Sequence, residues 1–200
     1  MISTGRIVML FGGVFCAIAS FVPQAQAGQA DYLSPSALVV DGQGEALYIA
    51  EETANQIAVF DVASGAVKKT ISLPDRPSGL ALAPDGGTLY VTIGTPDGKI
   101  SVVNLQEGKS VSEMNAEHTP NAPVVSPDGK TLYVCNRFTN NVAVYDLPSK
   151  EITATIEVTR EPFAAAITPD GKTLFVAHLI PGGASDRDYV AAEVSVIDTT

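Results

Sequence analysis

Beyond residue 33 the chain is a succession of short apolar runs, each closed by Gly, Pro, Asp or Asn. One unit shows the order. Gly79-Leu-Ala-Leu-Ala83 leads into Pro84-Asp-Gly86, and Thr88-Leu-Tyr-Val-Thr92 follows. A polar loop then leads to Ile100-Ser-Val-Val-Asn104, and a weaker fourth run lies between Ser110 and Met114. The runs are rich in β-branched and aromatic residues, and no helical period of 3.6 persists beyond the N-terminal segment. The predicted elements are therefore four short antiparallel strands per unit, joined by turns. The second run is almost continuously apolar, the pattern of a strand covered on both faces. The fourth, as in Val67-Lys-Lys-Thr-Ile71, mixes in charge and is expected at an exposed rim.

The unit repeats. Leu47-Tyr48, Leu89-Tyr90, Leu132-Tyr133 and Leu174-Phe175 place their aromatic residues 42, 43 and 42 positions apart, and Pro35, Pro77, Pro120 and Pro162 keep the same steps. Asp61, Asn104 and Asp146 close the third runs at 43 and 42. Asp198 follows 52 positions later, so the last unit carries about ten extra residues. A four-stranded unit of this length, repeated, predicts an all-β β-propeller of four-stranded antiparallel blades. The blades are expected at 33–74, 75–117, 118–159 and 160–200, the last lacking its fourth strand. The absence of Trp excludes the WD-type blade.

Ser126-Pro-Asp-Gly-Lys-Thr-Leu-Tyr-Val-Cys-Asn136, with its siblings at 83–93 and 168–178, resembles the YVTN-type β-propeller repeat, and Asn140-Asn-Val-Ala-Val-Tyr-Asp146 is similar to that family's third strand. The first repeat departs from the pattern, with Asp41-Gly-Gln-Gly44 in place of Pro-Asp-Gly. The resemblance spans residues 33–200. It implies a seven-bladed propeller, of which about four blades are present, and hence a longer protein. A compact four-bladed ring would instead need Gly28–Tyr32 to supply a closing strand. The resemblance also implies an exported bacterial or archaeal protein of the periplasm, cell surface or surface layer.

The N-terminus supports export on its own. Arg6, an apolar run from Ile7 to Val22, Pro23 and an Ala25-Gln-Ala27 site have the layout of a signal peptide cleaved after Ala27. A retained anchor would need a somewhat longer apolar run, and bulky Phe15 before Cys16 disfavours a lipoprotein signal. Cleavage leaves a soluble chain with no membrane insertion. That chain has 11 basic and 22 acidic residues and no basic cluster, which argues against nucleic acid as a partner. Its single cysteine, Cys135, forms no internal disulfide. No C-x-x-C-H site or paired-cysteine zinc spacing occurs, and no cofactor is expected from these residues.

Candidate chemistry divides by face. In an up-and-down blade the Pro-Asp-Gly turns and the third-to-fourth turns share one face. The second-to-third loops and blade links share the other, where repeated scaffolds acquire function. The candidates for ligand or partner contact are Arg137, Arg160, Glu161, His118, His178, Asp186 and Tyr189. His118 and His178 could hold a divalent metal with Glu161 or Asp186, although two histidines without tight spacing do not define a site. Asp85, Asp128 and Asp170 recur in Pro-Asp-Gly in three blades and read as turn formers. Cys135 aligns with Ala50, Thr92 and Ala177 and reads as an inert buried thiol. No catalytic residue stands out. The function expected is a non-catalytic binding or scaffold propeller of the cell envelope, for a protein or small-molecule ligand. Two alternatives remain open: the N-terminal propeller of an electron-transfer protein with a c-type cytochrome or peroxidase-like domain, and a metal-dependent lactonase or hydrolase.

Overall fold

A computed structural model describes residues 32–182, 191 and 193–200. The signal-peptide reading, the closing strand from Gly28–Tyr32 in all but Tyr32, and Asp186 and Tyr189 lie outside the described residues. The strands are β1 (Pro35–Val40), β2 (Ala46–Glu51), β3 (Gln56–Asp61), β4 (Ala66–Ser72), β5 (Pro77–Leu82), β6 (Thr88–Ile93), β7 (Lys99–Asn104), β8 (Lys109–Asn115), β9 (Pro120–Val125), β10 (Thr131–Asn136), β11 (Asn141–Asp146), β12 (Glu151–Glu157), β13 (Pro162–Ile167), β14 (Thr173–His178) and β15 (Val194–Asp198). They form three four-stranded sheets and one three-stranded sheet, each in simple sequential order and antiparallel throughout. These are the blades of a propeller. β1, β5, β9 and β13 are the innermost strands, each adjoining the next.

Turn chemistry sets the blade corners. Gly86, Gly129 and Gly171 have φ of 70°, 72° and 73°, a region open to Gly at no steric cost. The preceding aspartates hold the turn by accepting backbone N–H groups: Gly87 on Asp85 at 2.8 Å, Lys130 on Asp128 and Lys172 on Asp170 at 3.1 Å. Ser126 and Thr168 hydroxyls also donate to Asp128 and Asp170, and these bonds lower both carboxyl pKa values. Asp41 plays the same part in the divergent first repeat, accepting from Glu45 N at 2.8 Å, with Gly44 at φ 74°.

The core lies between blades. Tyr48, Ala50 and Val59 of the first blade pack against Leu80, Leu89 and Val91 of the second. The same pairing recurs when Tyr133 and Cys135 meet Leu174 and Val176. Burial on both faces explains the unbroken apolar second strands; the outer β4 and β12 are almost wholly exposed. In the fourth blade Phe175 and Val196 occupy the places of Tyr48 and Val59 and are 41% and 66% exposed.

A ladder of side-chain hydrogen bonds ties the inner strands together. Ser36 Oγ donates to Pro77 O at 3.1 Å, Ser78 Oγ to Pro120 O at 2.6 Å, and Asn121 Nδ2 to Phe163 O at 2.9 Å. The donor is in each case the residue after the repeated proline. In the fourth blade that position is Phe163, which cannot donate, so the ladder changes character there. Ser78→Ala is expected to cost about 1 kcal/mol of stability, the value of one such bond, in urea unfolding. An unchanged midpoint would show that the ladder carries no weight.

Candidate functional site at the channel mouth

A cavity of about 600 Å³ opens against the inner strands. Its wall is the first half of β1, β5, β9 and β13. Its rim comes from the second-to-third loops (Glu52, Gly94, Arg137, Phe138) and the blade links (Arg76, Thr119). None of the Pro-Asp-Gly turn residues lines it.

The loop carrying Arg137 and Phe138 is held by an amide frame. Asn136 Nδ2 donates to Asn141 Oδ1 at 2.9 Å across its base, and Asn141 Nδ2 donates to Glu117 Oε2 at 2.8 Å in the preceding blade link. Asn140 adopts φ 57°, a left-handed conformation that Asn tolerates better than most residues, and its Oδ1 accepts the Glu161 N–H at 2.9 Å. Glu161 in turn takes Arg137: Nε at 2.9 Å and Nη2 at 2.7 Å both donate to Oε2. The guanidinium carbon sits 4.9 Å from the Phe138 ring centroid, and the His118 ring meets Phe138 edge-on at 5.2 Å. The contacts run from one blade to the next, so the loop's geometry is set from both sides.

Among the sequence candidates, Arg137 therefore lines the cavity, and Glu161 stands behind it as its ion-pair partner. His118 is exposed, its Nδ1 2.8 Å from Thr119 Oγ1, and braces Phe138. Arg160 borders a second cavity with Asn140 and Ser195. His178 is 5% exposed at the end of β14, with Nε2 2.8 Å from Ser195 Oγ. Its Nδ1 has no hydrogen-bond partner among the described residues. The two histidines thus have separate partners, and neither lines the mouth. No group of three or more His, Cys, Asp or Glu side chains is arranged to hold a metal among the described residues.

Cys135 is fully buried at the interface of the third and fourth blades, and desolvation pushes its thiol up to about 12. Its thiolate fraction at neutral pH is negligible. Native protein is expected to ignore an aromatic disulfide reagent at pH 8 and to react with one thiol equivalent per residue-135 side chain in urea. Fast labelling of folded protein would refute the packing role.

Arg76 was not anticipated from the sequence. It immediately precedes Pro77, at the repeat position held elsewhere by Ser34, Thr119 and Glu161. That change of residue type within a uniform repeat was the available signal. Its Nε donates to Gly94 O at 3.0 Å, and its carbonyl accepts Gly94 N at 3.1 Å. It has no ion-pair partner among the described residues.

Sequential four-stranded blades around a mouth lined by their inner strands define a β-propeller. Comparison with known proteins agrees. A family model described as "Lactonase, 7-bladed beta-propeller" matches residues 115–179, the third blade and the beginning of the fourth. Among solved structures the chain is similar to hydrazine synthase of Kuenenia stuttgartiensis, with a TM-score of 0.73 and 26% identity. That likeness covers 88% of this chain and 49% of the other, so the chain spans about half the length of that structure. A search of curated proteins finds no match.

Proposed function

We propose that this is an exported, YVTN-type propeller that binds a ligand at the channel mouth, on the face carrying the second-to-third-strand loops. The observation that carries the reading is the composition of the cavity rim. Arg76, Arg137, Phe138 and Glu52 differ from blade to blade and gather on one face, whereas the opposite face repeats the same turn three times. Uniform turns serve the scaffold, and varied side chains around one opening serve recognition. A non-catalytic role fits the groups present: Arg137 is neutralised by Glu161, and the Cys135 thiol is buried. Export follows from the N-terminal segment, and placement in the periplasm or at the cell surface from the repeat type.

The test is a thermal-shift screen of purified protein against a panel of small metabolites and peptides. Binders are expected to lose at least about tenfold in affinity in Phe138→Ala or Arg76→Ala, the effect of removing one well-placed contact. Binders indifferent to both substitutions would overturn the site. Export is checked by N-terminal sequencing of protein secreted from the native gene: a chain beginning at Gly28 is expected, and an intact Met1 would refute cleavage.

The likeness to hydrazine synthase favours a second reading, in which the propeller is one module of a larger redox assembly. A haem spectrum, or a C-x-x-C-H motif in the full-length protein, would support it. The lactonase reading rests on residues 115–179 alone. It predicts turnover of a lactone that is lost on chelation.

A further inference from the structure

The mouth contains more polar groups than are available to a ligand. Ser36, Ser78 and Asn121 line it, but each is neutral and directs an N–H or O–H to the neighbouring inner strand. Arg137 directs two of its nitrogens to Glu161 and covers Phe138. Two charged groups are left. Arg76 is anchored through Nε to Gly94 O, and Glu52 lies on the adjacent blade's rim. Neither forms an ion pair among the described residues, with each other or with another side chain. The same cavity is lined by two half-exposed aromatic rings, Phe138 and Phe163, at 50% and 46% exposure.

Building on the reading of the mouth as a ligand site, we infer that the cavity binds a small zwitterion with an apolar side chain, the chemistry of an aromatic α-amino acid. The carboxylate pairs with the Arg76 guanidinium and the ammonium with the Glu52 carboxylate, while the ring rests against Phe138 and Phe163. Charge accounting favours a zwitterion over a simple anion or cation. A ligand of one charge covers one rim group and desolvates the other without a partner, a cost that a zwitterion avoids. A cavity of about 600 Å³ falls within the usual range of small-molecule sites, roughly 300–1,000 Å³, and admits such a ligand with bridging water. Arg137 acts here as a positioning residue, fixing Phe138 through the ring face while Glu161 holds it in place.

The test titrates the full-length protein with L-phenylalanine, 3-phenylpropionate and phenethylamine, by calorimetry and by the ring proton signals of Phe138 and His118. L-Phenylalanine is expected to saturate. The two single-charge analogues should bind about tenfold or more weakly, each having lost one charged contact. Arg76→Gln should bring L-phenylalanine down to the level of phenethylamine. Glu52→Gln should bring it down to the level of 3-phenylpropionate. Circular dichroism confirms that both variants fold. Equal binding of 3-phenylpropionate and L-phenylalanine by the natural protein would overturn the zwitterion while leaving the mouth as the site. So would discrimination that survives both substitutions. Absence of saturable binding by all three overturns the inference outright. The reading of the mouth itself falls only if ligands found in the metabolite screen ignore Phe138→Ala and Arg76→Ala.

Discussion

Gly98→Ala is expected to destabilise the protein by about 3 kcal/mol, read as a fall in the urea midpoint at unchanged slope. A Cβ on Gly98 would strike the Glu117 carbonyl oxygen and lie 2.6 Å from Pro120 Cδ. Neither neighbour can yield cheaply. Glu117 belongs to the link between the second and third blades and Pro120 opens β9, and the link is already tied down by Ala116 N donating to Gly98 O at 2.9 Å and Thr119 N to Thr95 O at 3.0 Å. The same link carries Thr119 of the mouth and His118 beside it, so the substitution also displaces the brace of Phe138. Gly87→Ala is the control. Its Cβ would meet Asp85 Oδ1 at 3.7 Å, ordinary contact, and its stability is expected within about 1 kcal/mol of the natural protein. Equal midpoints for the two variants would refute the argument.

The second large effect is alkaline. Burial pushes Cys135 from the ordinary 9.0 up to about 12, and burial followed by the Glu117 charge pushes Tyr145 from 10.0 up to about 12. Tyr145 is 1% exposed and donates its hydroxyl to Asn115 O at 3.0 Å, a bond that exists only in the neutral form. Both groups are neutral when folded, and both ionise more readily once unfolded. The stability they support is fully present below about pH 9 and is lost as pH rises toward 12. Each group contributes a slope of up to about 1.4 kcal/mol per pH unit. Unfolding free energies should therefore begin to fall near pH 9 and steepen above 10. In Cys135→Ala the fall is expected to start about one unit later, whatever the offset at neutral pH. Identical slopes between pH 9 and 10 in the two proteins would show that the thiol is not the first group responsible.

The Pro-Asp-Gly tripeptides show how far the chain could be read unaided. At residues 84–86, 127–129 and 169–171 the sequence predicts a turn, and the glycines adopt the positive φ that such turns require. Pro96-Asp-Gly98 is the same tripeptide, yet Gly98 is not among the positive-φ residues. It is glycine because the backbone of the link to the next blade, at Glu117, lies against it. Local sequence specifies a backbone angle; it does not record what approaches from elsewhere. Cys135 was legible for a related reason. Its alignment with Ala50 and Thr92, both also fully buried, reported the tightness of the blade interface before any coordinate did.

The sequence by itself determined the period, the four-strand grammar of each blade, the burial of the second strands and the face on which side chains vary. Each of these is a local or periodic property, repeated often enough to rise above coincidence. Only the tertiary structure decided which charges at the mouth are available. Arg137 and Glu161 are 24 residues apart, one in the third blade's loop and one in the link to the fourth, and they neutralise each other because the fold brings loop and link together. Arg76 reaches the same cavity through a tie to Gly94 and forms no ion pair among the described residues. Both are arginines on the same rim. What separates a scaffold contact from a recognition group is which neighbour the fold supplies, and the pairing of charges across blades is a three-dimensional fact.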